Sequence, residues 1–427
     1  MFKKILNLLE KTNNVKRSSY FWNAASAGVL AIQSPIILMV ISRTTELKDA
    51  GIFSIGIAVS NLMMYLGQYG LRRFQSSDIK EKYKFEEYHG MRIITCILMI
   101  IASVIYCMYG KAFLSYTWNK ISVIFLICVL RLIQAYTDVY HGQMQQRGRL
   151  DVATRSSTIR YIFEMIVYCI GLVVTHNLLV STTLALAISI LVMFVTTLNA
   201  AQNYCESYRP SFHREQLKLL AIEGFPLFVS MFLNMYVGNI AKYGIDAYLG
   251  DEIQGIFNMI FMPAYVIQLI AHFIFNPILT TYAELWHSVR EEDHYKLKKL
   301  INRQILIIFG LLALALLVSV TIALPILSFL FSVDLNAYKM ELCVIMVGGA
   351  MLAFATYFST IIAIIREQKS LMICYITVSI IAKLLSKTLI VKYEMIGASV
   401  LYAIVMLLLA AALYIVVKRG LKTFNKA

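Results

Sequence analysis

The sequence predicts an all-α polytopic membrane protein, with about twelve transmembrane helices in two six-helix bundles related by a parallel internal repeat. Three observations carry that expectation. Apolar residues make up 59% of the 427 residues and charged residues only 15%, outside the balance of soluble domains. The apolar residues fall into segments of about 20, the length a helix needs to cross the hydrocarbon core. The cations also sort by side. Alternate polar gaps, counted from the N-terminus, hold 29 of the 39 lysines and arginines, the other gaps hold 7, and Arg131, Lys383 and Lys387 lie inside apolar stretches. Lysine and arginine collect on the cytoplasmic side during insertion, so both ends of the chain are expected in the cytosol.

Residues 1–19, which open MFKKILNLLEK, read as a basic amphipathic segment lying on the inner leaflet, with no cleavable signal. The N-terminal bundle, 20–206, has spans near 20–42, 50–71, 91–110, 119–141, 157–176 and 179–201. A cytosolic linker at 207–219 leads to the second bundle, 220–417, with spans near 220–246, 254–281, 303–324, 338–365, 370–391 and 395–417. A basic cytosolic tail, 418–427, closes the chain. The longest cytosolic gaps, Arg72–His89 and Glu284–Lys299, are too short to fold alone, and the outer gaps are shorter. No soluble catalytic domain is expected.

The repeat is visible in one block. Residues 41–53, ending Gly51-Ile52-Phe53, align without gaps with residues 245–257, ending Gly255-Ile256-Phe257, an offset of 204. Each block ends an odd-numbered span and opens the next. Both bundles start on the same side, so the repeat axis runs along the membrane normal, the arrangement of many transporters.

Composition also excludes. The net charge of +15 is dispersed among short loops, which indicates topology and contacts with anionic membrane lipids rather than nucleic acid. Seven cysteines without CxxC or CxxH spacing read as buried small hydrophobes. There is no P-loop, no HExxH and no recognisable nucleophile context. The chain is expected to be no enzyme and to use neither cofactor nor metal, with an ion gradient as the candidate energy source.

The candidate functional residues are polar groups inside apolar spans. Arg131, in ICVLRLIQ, either ties neighbouring helices through a carboxylate or contacts an anionic substrate in a cavity. Lys383 and Lys387 are one turn apart on one helix face without an acid three or four residues away, suiting an aqueous cavity or an anion; snorkelling is the other reading of Lys387. Glu164 lies at mid-depth, where it pairs with Arg160 four residues earlier, pairs with Lys383, or binds a proton or sodium ion. Asp138, two turns beyond Arg131, is a second ion-coupling candidate. Gln268, His272 and Asn276 step by four along span 8, next to Asn258, and present either interhelical hydrogen bonds or contacts for a hydroxyl-rich ligand. Pro35, Gly224, Pro226, Pro263 and Pro277 mark spans 1, 7 and 8 as broken helices, and the first four are hinge candidates.

Gly51–Arg73 (GIFSIGIAVSNLMMYLGQYGLRR), Gly224–Phe257 (GFPLFVSMFLNMYVGNIAKYGIDAYLGDEIQGIF) and Glu394–Ile404 (EMIGASVLYAI) resemble the polysaccharide flippase branch of the multidrug/oligosaccharidyl-lipid/polysaccharide exporter superfamily, over nearly the whole chain. That resemblance implies translocation of a polyprenyl-pyrophosphate-linked oligosaccharide from the cytosolic to the outer leaflet by alternating access. The setting it implies is cell-surface polysaccharide synthesis in the bacterial cytoplasmic (inner) membrane, beside other polysaccharide-assembly membrane proteins. It also implies a cationic cavity and, for many members, coupling to an ion gradient. Where members carry an acidic–basic pair this chain has Ala241-Lys242, so Lys242 becomes a substrate contact and Asp246, a turn later, the substitute acid. Three alternatives stand beside this: a cation-coupled drug exporter of the same superfamily, a membrane-embedded polysaccharide polymerase or ligase, and a lipid scrambler or structural subunit. Intramembrane cations outnumbering carboxylates disfavour the first, and short outer gaps the second.

Overall fold

The computed structural model describes residues 6–7, 9–78, 81–205, 207–275, 279–287, 291–365 and 367–424. Among these residues all regular structure is helical. A helix satisfies its own backbone donors and acceptors, which is what a chain this apolar needs in hydrocarbon. Ten helices are long and apolar enough to cross a membrane. One of them, spanning Gln368–Phe424, contains Glu394 at φ 51° and ψ −131°, a residue that cannot continue a helix and so divides it in two. Asp251–Phe275 adds a further helix of 25 residues, and the predicted twelve are all present.

In chain order they are α1 (Val15–Thr44), α2 (Leu47–Gln68), α3 (Phe85–Phe113), α4 (Trp118–Gln146), α5 (Leu150–Thr175), α6 (Leu178–Ala201), α7 (Arg214–Gly238, resuming as Ile240–Tyr248), α8 (Asp251–Phe275), α9 (Glu291–Val318, running on to Phe331), α10 (Lys339–Ile364), α11 (368–393) and α12 (395–424). Their ends have local causes. Asn14 caps α1 by accepting from the Arg17 amide at 3.0 Å, and Asn177 caps α6 through the Val180 amide at 3.1 Å. Tyr69 and Gly70, at φ 50° and 68°, turn the chain out of α2. On α3 a stripe of Ile97, Ile101, Val104, Ile105 and Met108 faces outward, the lipid-facing side of a spanning helix.

The chain divides into two compact units, Met1–Phe232 and Leu233–Ala427. The division falls within α7 and not in the 207–219 linker. The start of α7 packs on the α2 turn: the Tyr69 and Phe228 rings stack at 4.7 Å, and Tyr69 Oη donates to the Ala221 carbonyl at 3.2 Å. Within the first unit α2 packs on α4, α1 on α5, and α3 on α4. Within the second, α8 packs on α10, the Ile240–Tyr248 segment on α11 (Gly244 against Ser386 and Ile390), and α9 on α10. Each pairing repeats six helices later. The α1 end at Thr44 and the α7 end at Tyr248 are also 204 residues apart, matching the sequence offset.

One expectation needs correction. Pro35, Gly224, Pro226 and Pro263 lie inside uninterrupted helices. A proline forfeits one backbone bond, and the remaining ladder carries the helix through in an apolar setting. Pro277 lies outside the described residues. The irregularities fall elsewhere: at Asn239, at Glu394, and at π turns over Met193–Leu198 and Ser319–Ala323. Part of the Glu284–Lys299 gap is helical, because α9 begins at Glu291. Residues 9–11 pack on protein. Leu9 is fully buried in a cluster that includes Leu71, Tyr88, Tyr140, Met144 and Cys205. Arg155 donates to the carbonyls of Leu9 at 2.9 Å and Lys11 at 3.3 Å, and Arg149 to that of Glu10 at 2.9 Å. Burying one leucine contributes about 2 kcal/mol.

Candidate functional site

In the first unit the polar residues of α1, α4 and α5 converge. Gln33, Ser34, Arg131, Glu164 and Tyr168 border one small cavity, walled by apolar groups that include Ile37, Phe53 and Ile127. Glu164 is buried. One carboxylate oxygen accepts from Gln33 Nε2 and the other from Ser189 Oγ, both at 2.9 Å. The Arg160–Glu164 pair allowed by their spacing does not form; Arg160 makes no hydrogen bond. Gln33 Oε1 is buried without a partner. Carboxylate and amide oxygens so placed form an acceptor-rich niche, the chemistry that takes up a proton or a small cation.

Arg131 borders the same cavity. Its guanidinium donates to Gln134 Oε1 at 3.1 Å, three residues along α4, and no ion pair joins it to Glu164. It is therefore not spent on an internal acid. Asp138, the second carboxylate singled out in the sequence, has two cationic partners. It sits between Arg92 Nη2 at 2.9 Å and Arg72 Nη1 at 3.3 Å. Arg92 is fully buried and also donates to the Gly67 carbonyl at 2.6 Å. Asp138 thus forms ion pairs with two guanidiniums at once.

In the second unit Lys242 is buried on the short Ile240–Tyr248 helix. Its Nζ donates to Asn258 Oδ1 at 2.6 Å and Tyr265 Oη at 2.9 Å. The same nitrogen lies 5.1 Å and 5.3 Å from the ring centroids of Phe261 and Tyr265. Charge, hydrogen bonds and aromatic faces all hold it, so Lys242 is anchored to α8. Asp246 is buried on the same helix. Gln268 is half-buried on α8, while Asn276 and the side chain of His272 lie outside the described residues. Lys383 and Lys387 are exposed on α11, in a stripe with Ile376, Ile380, Leu384, Thr388 and Val391 that the second unit leaves uncovered. Neither lysine is locked to a carboxylate.

Sequence reasoning missed Gln33, Ser189 and Arg92. Gln33 carried a legible signal, an amide within the run GVLAIQ. Ser189 and Arg92 carried none: a serine is ordinary in a span, and Arg92 stands near a span end where cations are common. Among the described residues no group of three or more His, Cys, Asp or Glu side chains could hold a metal ion.

No family model and no curated protein matches the sequence, but solved structures do. A multidrug resistance MATE family transporter of the MOP superfamily, in an inward-facing conformation, superposes with a TM-score of 0.69 at 13% identity, over 93% of this chain and 96% of that one. Lipid II flippase MurJ, in an inward closed conformation, gives 0.67 at 14%, over 95% and 90%. A MOP superfamily transporter from Pyrococcus furiosus, described as having a binding pocket of reverse polarity, gives 0.58 at 15%, over 99% of both chains. These three are transporters or flippases, not enzymes. The chain has the multi-pass membrane fold of the MOP superfamily transporters.

Proposed function

We propose that the chain carries a polyprenyl-pyrophosphate-linked oligosaccharide from the cytosolic to the outer leaflet of a bacterial cytoplasmic membrane, by alternating access, with both termini cytosolic and with Glu164 as the ion-coupling group. The observation that carries this is the state of the intramembrane cations. Arg131 has only Gln134 as its partner, and Lys383 and Lys387 stand exposed on one stripe of α11. A pyrophosphate head cannot cross hydrocarbon unaided, whereas its polyprenyl tail is at home there. Uncommitted guanidinium and ammonium groups supply charge-assisted hydrogen bonds to the phosphates. Gln268, with His272 and Asn276 at successive four-residue steps in the sequence, is the candidate set for sugar hydroxyls. A neighbour described as a lipid II flippase supports a lipid-linked substrate.

The test is translocation of a fluorescent lipid-linked oligosaccharide in proteoliposomes. Arg131→Ala and Lys383→Ala are expected to abolish it while the protein elutes as a folded species. Normal translocation by both variants overturns the assignment.

A second reading is favoured by one observation. The buried Glu164, with the orphaned Gln33 oxygen beside it, suits export of a lipophilic cation. The same vesicles decide between them: accumulation of a lipophilic cation, with no movement of the oligosaccharide lipid, selects drug export.

A further inference from the structure

Arg160, on α5, is one of the most deeply buried side chains of the first unit, at 1% exposure. None of its three guanidinium nitrogens has a hydrogen-bond partner. The ring of Tyr161 lies 5.2 Å from the guanidinium carbon, which engages one face of the group and none of its N–H bonds. A buried guanidinium without partners is strongly unfavourable, so the chain has kept a charge here for which its own side chains provide no answer.

The surroundings add to the imbalance. Arg72 and Arg160 both act by charge on His141, itself buried on α4. His141 sits between the hydroxyls of Ser156 and Ser157, at 3.4 and 3.5 Å, one turn before Arg160. Both hydroxyls donate to the Ala153 carbonyl, at 2.8 and 3.1 Å, and neither supplies negative charge. The acid nearest in sequence, Glu164, is held by Gln33 and Ser189. Asp138 is already shared by Arg72 and Arg92. Arg72 and Arg92 thus share one carboxylate, and Arg160 is hydrogen-bonded to none. A trapped water would satisfy N–H groups and leave the charge in place; an anion answers both needs.

We propose that this seam of the first unit holds one small monovalent anion, of the halide class, against the Arg160 guanidinium. The near-complete enclosure of Arg160 disfavours a phosphate headgroup or an organic acid, which need an open mouth. The bound ion acts as the missing counter-charge that fixes α5 against α4. This role does not depend on what the protein transports.

The experiment uses the full chain purified in detergent in gluconate buffer, with radioactive chloride as the probe. Wild type is expected to bind chloride saturably, near one ion per chain, with displacement by bromide and not by gluconate. Arg160→Gln is expected to weaken binding about tenfold or more, while Arg209→Gln, an exposed cation, leaves it unchanged. Absence of saturable binding by wild type overturns the proposal, as does equal binding by a folded Arg160→Gln variant. Should that variant fail to fold, wild-type crystals soaked in bromide decide. An anomalous peak within hydrogen-bond distance of the guanidinium supports the site, and no peak there overturns it.

Discussion

Gln33 Nε2 donates to Glu164 Oε1 at 2.9 Å across 131 residues of sequence, joining α1 to α5 through a single buried bond. With Ser189 on the other oxygen, the carboxylate also links α6. Any change in its protonation therefore alters contacts among three helices at once, which is what a coupling group must do.

Glu164→Gln keeps the shape and one acceptor oxygen, so it is expected to fold and to lose the response of transport to an imposed proton or sodium gradient. Glu164→Ala leaves the Gln33 and Ser189 donors unpaired, at a cost of about 1–3 kcal/mol each. Thermal unfolding separates the two variants, and flux with and without the gradient reads the coupling. An unchanged gradient response in Glu164→Gln removes Glu164 from the coupling role.

Asp138 makes the contrasting prediction. It neutralises Arg92, which has no exposure to water. Asp138→Asn should destabilise by about 3–5 kcal/mol, the penalty for breaking one side of a buried pair. Adding Arg92→Met to that variant should recover part of the loss. A coupling carboxylate would instead tolerate the amide and lose only gradient response, so unfolding and flux measured together distinguish the roles.

The architecture was legible because it is written in bulk quantities. Segment length gives the span count. The block at Gly51 and Gly255 gave the repeat, whose counterpart helices proved to make the same pairings. Individual partners were less legible, since they depend on side-chain direction across helices. Arg131 and Glu164 both stood out as charges in apolar runs, yet nothing in the chain said that they border one cavity while Glu164 bonds to Gln33. Glu164 four residues after Arg160 looked like an ion pair, but side chains one turn apart pair only when neither has a better option. The packing of Leu9 was not legible in residues 1–19, because an amphipathic segment presents the same apolar face to a leaflet or to a protein groove.

That groove gives a third prediction. Leu9 and Cys205 belong to one buried cluster, and burial pushes the Cys205 thiol up to about 12. A protein retaining Cys205 as its only cysteine should resist maleimide at pH 7.5, where the reactive thiolate is scarce. Leu9→Asp should undock the N-terminal segment, admit water and raise the labelling rate. Equal labelling of the two proteins would show that the segment does not cover the cluster.

Lys242 gives the last. Its ammonium has two oxygen partners, Asn258 and Tyr265, and two aromatic faces, so its first effect is to tie the break after Asn239 to α8. Lys242→Met should cost about 1.5–3 kcal/mol, the worth of hydrogen bonds to a charged group. Lys242→Arg should not restore it, because a planar fork cannot place one nitrogen at both oxygens as the compact ammonium does. Combining Lys242→Met with Tyr265→Phe tests the contact directly. The losses in unfolding free energy should be less than additive if the two side chains share a bond, and strict additivity would show that Lys242 is held by something else.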